Sequence, residues 1–129
     1  MNDDWMQAER RQHQRYRVQK NALALLRNKS IYPGYITEIS MGGMAFQYHS
    51  NNGKTPEASE LDIISANYTE VILIRHIGIK TVSDLAVSKK HVEGSTYFRK
   101  HVVRFETLSR GQTSKLKHFI QAYSSGRLS

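Results

Sequence analysis

Tyr35-Ile36-Thr37-Glu38-Ile39-Ser40-Met41-Gly42-Gly43-Met44-Ala45-Phe46 is the stretch on which the reading of this chain turns. Its first six residues are dense in β-branched and aromatic side chains and read as a strand. The Gly42-Gly43 pair breaks that run, and Met44 to Tyr48 resumes as a second strand. Side chains alternate along a strand, so Tyr35, Thr37 and Ile39 share one face, and Ile36, Glu38 and Ser40 the other. The first set is the predicted core face, which leaves Glu38 and Ser40 together on the solvent or ligand face. A carboxylate and a hydroxyl two apart, followed by glycines that let a ligand approach the backbone, form a compact polar pocket edge. The same residues also suit an ordinary hairpin with its polar side chains in water.

Working outward, the chain continues in short apolar runs. Ala22 to Arg27 is one, closed by an Asn28-Lys29-Ser30 turn and followed by a second break at Pro33-Gly34. Downstream, His49 to Ala58 is polar and reads as a loop. Leu61 to Ser65, Val71 to Ile74, Ile77 to Val87 and Tyr97 to Phe105 are further strands, rich in Val, Ile, Tyr and Phe. Several short strands at this spacing predict a barrel or sandwich. Near the C-terminus the period changes, because Leu116, Phe119, Ile120 and Tyr123 recur as one stripe of a helix. Ser109 with Gln112 three residues later predicts its N-cap, with Thr113 as a competing start and Gly126 as the stop. At the other end, Asp4 caps a short predicted helix through Trp5, Met6 and Ala8.

With 129 residues the chain suits one hydrophobic core and hence one domain. No apolar run approaches the ~20 residues that span a bilayer, and no basic start with an apolar stretch marks a secretory signal. A cytoplasmic protein without membrane insertion is the expectation. It has no cysteine, which excludes a disulfide framework and a thiolate nucleophile. The formal charge of +8 points to an anionic partner, and its distribution sharpens the point. Residues 1 to 29 hold seven Lys/Arg against three Asp/Glu, and residues 99 to 129 hold seven against one, while 30 to 98 hold five against seven. An anion site built from a terminus follows.

The N-terminal excess centres on Arg10-Arg11-Gln12-His13-Gln14-Arg15-Tyr16-Arg17. Arg11 and Arg15 are four apart, which puts both guanidinium groups on one side of the segment. Planar guanidinium forks suit phosphate oxygens and the O6/N7 edge of guanine, and a carboxylate accepts from the complementary N1 and N2 hydrogens. Four arginines within eight residues repel one another, so this arm is predicted to stay loose up to Val18 until an anion orders it.

Taken together, the two segments resemble the PilZ domain family, whose signature is R-x-x-x-R followed some twenty to thirty residues later by D/N-x-S-x-x-G. Arg11 and Arg15 fill the first motif, and Glu38, Ser40 and Gly43 match the second. Glu38 stands where the family usually has Asp or Asn, so the carboxylate is kept on a side chain one methylene longer. The resemblance extends from the strand-turn-strand around Gly43 to the ending Arg104-Phe105 through Ile120. It implies an all-β fold, a six-stranded antiparallel barrel with a C-terminal helix and a basic N-terminal arm. The arm would take residues 1 to 18, the barrel 19 to 108 and the helix 109 to 125. It also implies a receptor for cyclic di-GMP that changes conformation and signals to an unidentified downstream protein. The ligand residues would be Arg10, Arg11, Arg15, Glu38, Ser40 and Gly43, with Arg10 adding a third guanidinium suited to a stacked pair of ligands.

Other chemistries have less to stand on. The six histidines lack H-x-x-x-H or H-E-x-x-H spacing, so no metal site or other cofactor is expected. Ser40 lies in no G-x-S-x-G context, and no enzyme is predicted. Two alternatives to the receptor remain: a PilZ-like interaction module without ligand, and a basic nucleic-acid-binding barrel. The second is disfavoured because no strand alternates aromatic with basic residues.

Overall fold

The computed structural model describes residues 13–19, 21–28, 31–50, 58–86 and 97–127. Arg10, Arg11 and the segment from Asp4 to Ala8 lie outside them. The elements in chain order are β1 (Tyr16–Val18), β2 (Ala22–Arg27), β3 (Ile31–Ile39), β4 (Gly43–Ser50), β5 (Glu60–Ala66), β6 (Val71–Ala86), β7 (Tyr97–Phe105), α1 (Arg110–Tyr123) and β8 (Ser124–Arg127). Every pairing is antiparallel, and the strand order β2-β5-β6-β7-β4-β3 closes on itself through β2 and β3. This is the predicted six-stranded antiparallel barrel. Closure removes the exposed sheet edges that six short strands would otherwise leave. β1 and β8 add to it as a small ribbon on the far end of β3. The arm therefore becomes ordered strand at Tyr16, where β1 pairs with β3 on one side and β8 on the other.

Inside the barrel lie Ala24, Leu26, Ile36, Ile39, Met44, Phe46, Leu61, Ile63, Ile74, Ile77 and Val103, all buried. The helix closes one end with its predicted stripe, Leu116, Phe119, Ile120 and Tyr123. Each such side chain contributes roughly 1.5–3 kcal/mol by leaving water. Of the two candidate starts, the helix uses Ser109, whose hydroxyl accepts from Gln112 N at 3.0 Å while Gln112 Oε1 accepts from Ser109 N at 2.9 Å. The amide of Gln112 also donates to the Arg75 and His76 carbonyls, tying the cap to β6. The predicted stop at Gly126 is not the stop. The helix ends at Tyr123, Ser124 turns extended, and Gly126 lies in β8 opposite Arg17.

Three further expectations are corrected. Pro33-Gly34 does not break the chain, since β3 starts at Ile31 and Pro33 pairs with Leu25. Gly34 is needed there because a Cβ would come within 2.5 Å of the Phe46 ring. The two predicted runs Val71 to Ile74 and Ile77 to Val87 are one long strand, β6. Between them Arg75 and His76 together oppose the single residue Asp62, a bulge in which His76 takes a φ of 57°. Asp62 holds this bulge, accepting from His76 N at 2.9 Å and from Arg27 Nε at 2.8 Å. Finally, Tyr35, Thr37 and Ile39 do not share the core face. Tyr35 is 60% exposed, whereas Ile36 and Ile39 are both buried. The register between β3 and β4 shifts between Ile36 and Glu38, so Thr37 is an extra residue that resets the alternation. Its hydroxyl donates to the Ala45 carbonyl at 3.2 Å within the bulge.

Candidate functional site

The bulge at Thr37 decides where Glu38 points. Its neighbours across the sheet are Arg17 of β1 and Ala45 of β4. Arg15, just before β1, brings Nη1 to 3.2 Å from Glu38 Oε1, and Lys100 of β7 brings Nζ to 3.6 Å from Oε2. The Arg15 side chain is only 11% exposed and that of Glu38 21%. Fully exposed ion pairs are worth about 0–1 kcal/mol, and in this partly buried one the hydrogen bond offsets the added cost of desolvating both charges. One carboxylate thus serves two cations from different strands.

Ser40 does not join Glu38 on that face, contrary to the alternation read from the sequence. It is buried, and its Oγ accepts from Gly42 N at 3.0 Å and Gly43 N at 3.2 Å. Ser40 N donates in turn to the Gly43 carbonyl at 2.9 Å. The hydroxyl shapes the turn between β3 and β4, as Ser side chains do when they bond nearby backbone. Gly43 is buried at the start of β4, opposite Arg104. The structure therefore brings Arg15 and Glu38 into contact and places Ser40 and Gly43 in the adjoining turn. Arg10 and Arg11 lie outside the described residues.

Lys100 is the site residue that sequence reasoning missed. On β7, His101, Val103 and Phe105 join the core side, and by alternation Phe98, Lys100, Val102 and Arg104 share the other face, on which Val102 is itself buried against Ala45. That alternation is present in the sequence, but nothing local says that β7 lies beside β4. The register places Tyr35, Gln47, Lys100 and Leu85 in one cross-strand row, Glu38, Ala45, Val102 and Ser83 in the next, and Gly43, Arg104 and Lys80 in a third. Beside these rows a cavity of about 800 Å³ opens where β3 changes partner from β2 to β1. Arg17, Tyr35, Thr37, Gln47 and Phe98 are among its lining residues.

Behind the face sits a buried polar cluster. Asp84 accepts from Tyr48 Oη at 2.6 Å and from Arg99 Nε, and the Arg99 Nη2 donates to its carbonyl at 3.0 Å. The Asp84 carboxylate raises the pKa of Arg99 by hydrogen bonding. His101 stacks on Phe46, shares a 2.8 Å hydrogen bond with Thr81 Oγ1 through Nε2, and has Nδ1 3.0 Å from Asp84 Oδ2. Burial lowers the His101 pKa, partly offset by Asp84 and reinforced by Arg99. These groups knit β4, β6 and β7 together. Among the described residues no group of three or more His, Asp or Glu side chains is placed to hold a metal ion.

No protein-family model matches the chain, and no curated protein matches it in sequence. Two solved structures are similar. One is the PilZ domain with c-di-GMP of YcgR from Escherichia coli, with a TM-score of 0.64 and 14% identity over 88% of this chain and 90% of that one. The other is MrkH, a c-di-GMP-dependent transcription regulatory factor, with a TM-score of 0.56 and 17% identity over 84% of this chain. This chain spans about half of MrkH, 48% of its length. The closed six-stranded barrel, the helix that packs on it and both likenesses agree: the chain has the fold of a PilZ domain.

Proposed function

We propose that this protein is a cytoplasmic receptor for cyclic di-GMP that changes conformation on binding and signals to a downstream protein, with no catalysis of its own. The observation that carries this reading is the Arg15–Glu38 contact at 3.2 Å on the outer face of the barrel, beside the glycine turn. Guanine presents acceptors at O6 and N7 and donors at N1 and N2, so one guanidinium and one carboxylate are complementary to its two edges. The binding residues are Arg10, Arg11, Arg15, Glu38, Ser40 and Gly43. Ser40 acts by shaping the turn, and Gly43 by keeping the backbone at the turn free of a side chain. A ligand that takes Arg15 exchanges one partner of that guanidinium for another, and the carboxylate keeps Lys100. With Arg10 as a third guanidinium, the arm suits two stacked ligands per chain.

Support comes also from the two similar structures, each described with c-di-GMP. The deciding experiment is calorimetric titration with cyclic di-GMP, with GTP and single-stranded DNA as competitors. Cyclic di-GMP binding more tightly than either is the expected result. Tighter binding of DNA would reject the receptor in favour of a nucleic-acid-binding barrel, and no binding of any of them would leave a ligand-free interaction module.

A further inference from the structure

Lys80 and Arg104 stand directly opposite each other on β6 and β7, both exposed and both positive. Like charges in that position are destabilising, and opposite charges there are the favourable arrangement. Four other cations of the strands and the arm have carboxylates: Arg15 and Lys100 share Glu38, Arg27 has Asp62, and Arg99 has Asp84. Among the described residues Lys80 and Arg104 make no ion pair. The third member of their row is Gly43 of the β3–β4 turn, across from Arg104 on the other side. Two cations and a residue without a side chain thus lie side by side, one row from Glu38. Two residues along a strand is about 6.6 Å, and the strand neighbours of Gly43 and Arg104 in the row of Glu38 are Ala45 and Val102, neither charged. No carboxylate separates Glu38 from the cation pair.

We infer that Lys80 and Arg104 form an anion subsite that takes a phosphate of the bound cyclic dinucleotide. This rests on the receptor reading above and extends its site onto β6 and β7. A cyclic dinucleotide carries a phosphodiester on each side of its ring, and cations confined to the N-terminal arm reach it from one side only. Arg104 offers a planar fork for two phosphate oxygens, and Lys80 a compact ammonium beside it. Gly43 lets the phosphate come down to the backbone. The arrangement holds like charges together in the free protein and neutralises them in the complex.

The experiment is calorimetry of the full chain with cyclic di-GMP at several salt concentrations, on wild type, Arg104→Gln, Lys80→Gln and Lys117→Gln. Lys117 is an exposed cation on the helix, away from the face, and serves as the charge control. Arg104→Gln is expected to bind about tenfold more weakly or worse, Lys80→Gln several-fold more weakly, both with a shallower salt dependence, and Lys117→Gln as wild type does. Thermal melting supplies an independent reading: without ligand, both face variants should melt no lower than wild type, because a like-charge pair has been relieved. Wild-type affinity in Arg104→Gln, or an equal loss in Lys117→Gln, would overturn the subsite and leave the receptor standing. Failure of wild type to bind at all would overturn the receptor and the subsite together. Lower melting in both face variants would mean that the pair holds the barrel and is no ligand subsite.

Discussion

Arg15 and Glu38 are 23 positions apart in the chain and 3.2 Å apart in space, one just before β1 and the other on the stretch of β3 that β1 covers. The contact exists because β3 gives its first half to β2 and its second half to β1. The guanidinium is thereby oriented by the Glu38 carboxylate.

Removing that guanidinium should weaken cyclic di-GMP binding without unfolding the barrel. A hydrogen bond to a charged group is worth about 1.5–3 kcal/mol, so Arg15→Ala should lose roughly tenfold to a hundredfold in affinity, and Arg11→Ala a similar amount. Calorimetry with a circular dichroism control checks both. Unchanged affinity in the two variants would sink the receptor assignment.

At position 38 two substitutions separate charge from reach. Glu38→Asp retracts the carboxylate by one methylene from Arg15 and Lys100, restores the length usual in the family, and should bind the ligand as well as glutamate or better. Glu38→Ala should bind more weakly. Equal binding by alanine and glutamate would make the carboxylate a bystander.

His101 should make stability fall with acid. Its folded pKa is lowered by burial, so near neutral pH the imidazole is neutral in both the folded and the unfolded chain. Below about pH 6.5 the unfolded chain takes up a proton first, and stability drops by up to about 1.4 kcal/mol per pH unit until the folded value is passed. Asp84 and Arg99 are the charged groups that face the ring, and they act on it in opposite directions, the carboxylate raising and the guanidinium lowering its pKa. Denaturant melts between pH 7.5 and 5 should show this slope in wild type and lose part of it in His101→Gln. An identical slope in the variant would mean that other groups carry it.

Gly34→Ala tests the contact between β3 and the core. The new methyl would lie 2.5 Å from Phe46 Cδ2 and 3.1 Å from the Gln47 carbonyl, both within the ladder between β3 and β4. Overpacking of this kind costs about 1–3 kcal/mol. Equilibrium urea denaturation should show a lower midpoint, and a midpoint equal to wild type would mean that the Phe46 ring has room to move.

Much of this was legible in the chain itself, because the controlling forces are local. The Leu116, Phe119, Ile120 and Tyr123 stripe and the Ser109–Gln112 capping box are set by helical periodicity and by hydrogen bonds within one turn. Strand propensity located β2, β4, β5 and β7, and two short motifs singled out Arg15 and Glu38 as candidate ligand residues, which the fold brings into contact. The tertiary structure alone decided which way the residues between them face. An extra residue at Thr37 or a second one at His76 forms a bulge only because a particular strand lies opposite, and each bulge turns the following side chains to the other side. That is why Ile36 entered the core, Tyr35 left it, and Ser40 closed a turn. The same holds for Lys80, Lys100 and Arg104, which sit far from both motifs in sequence. They reach the face of Glu38 and Gly43 only through barrel closure, where strand order and register are fixed by burying the whole core at once.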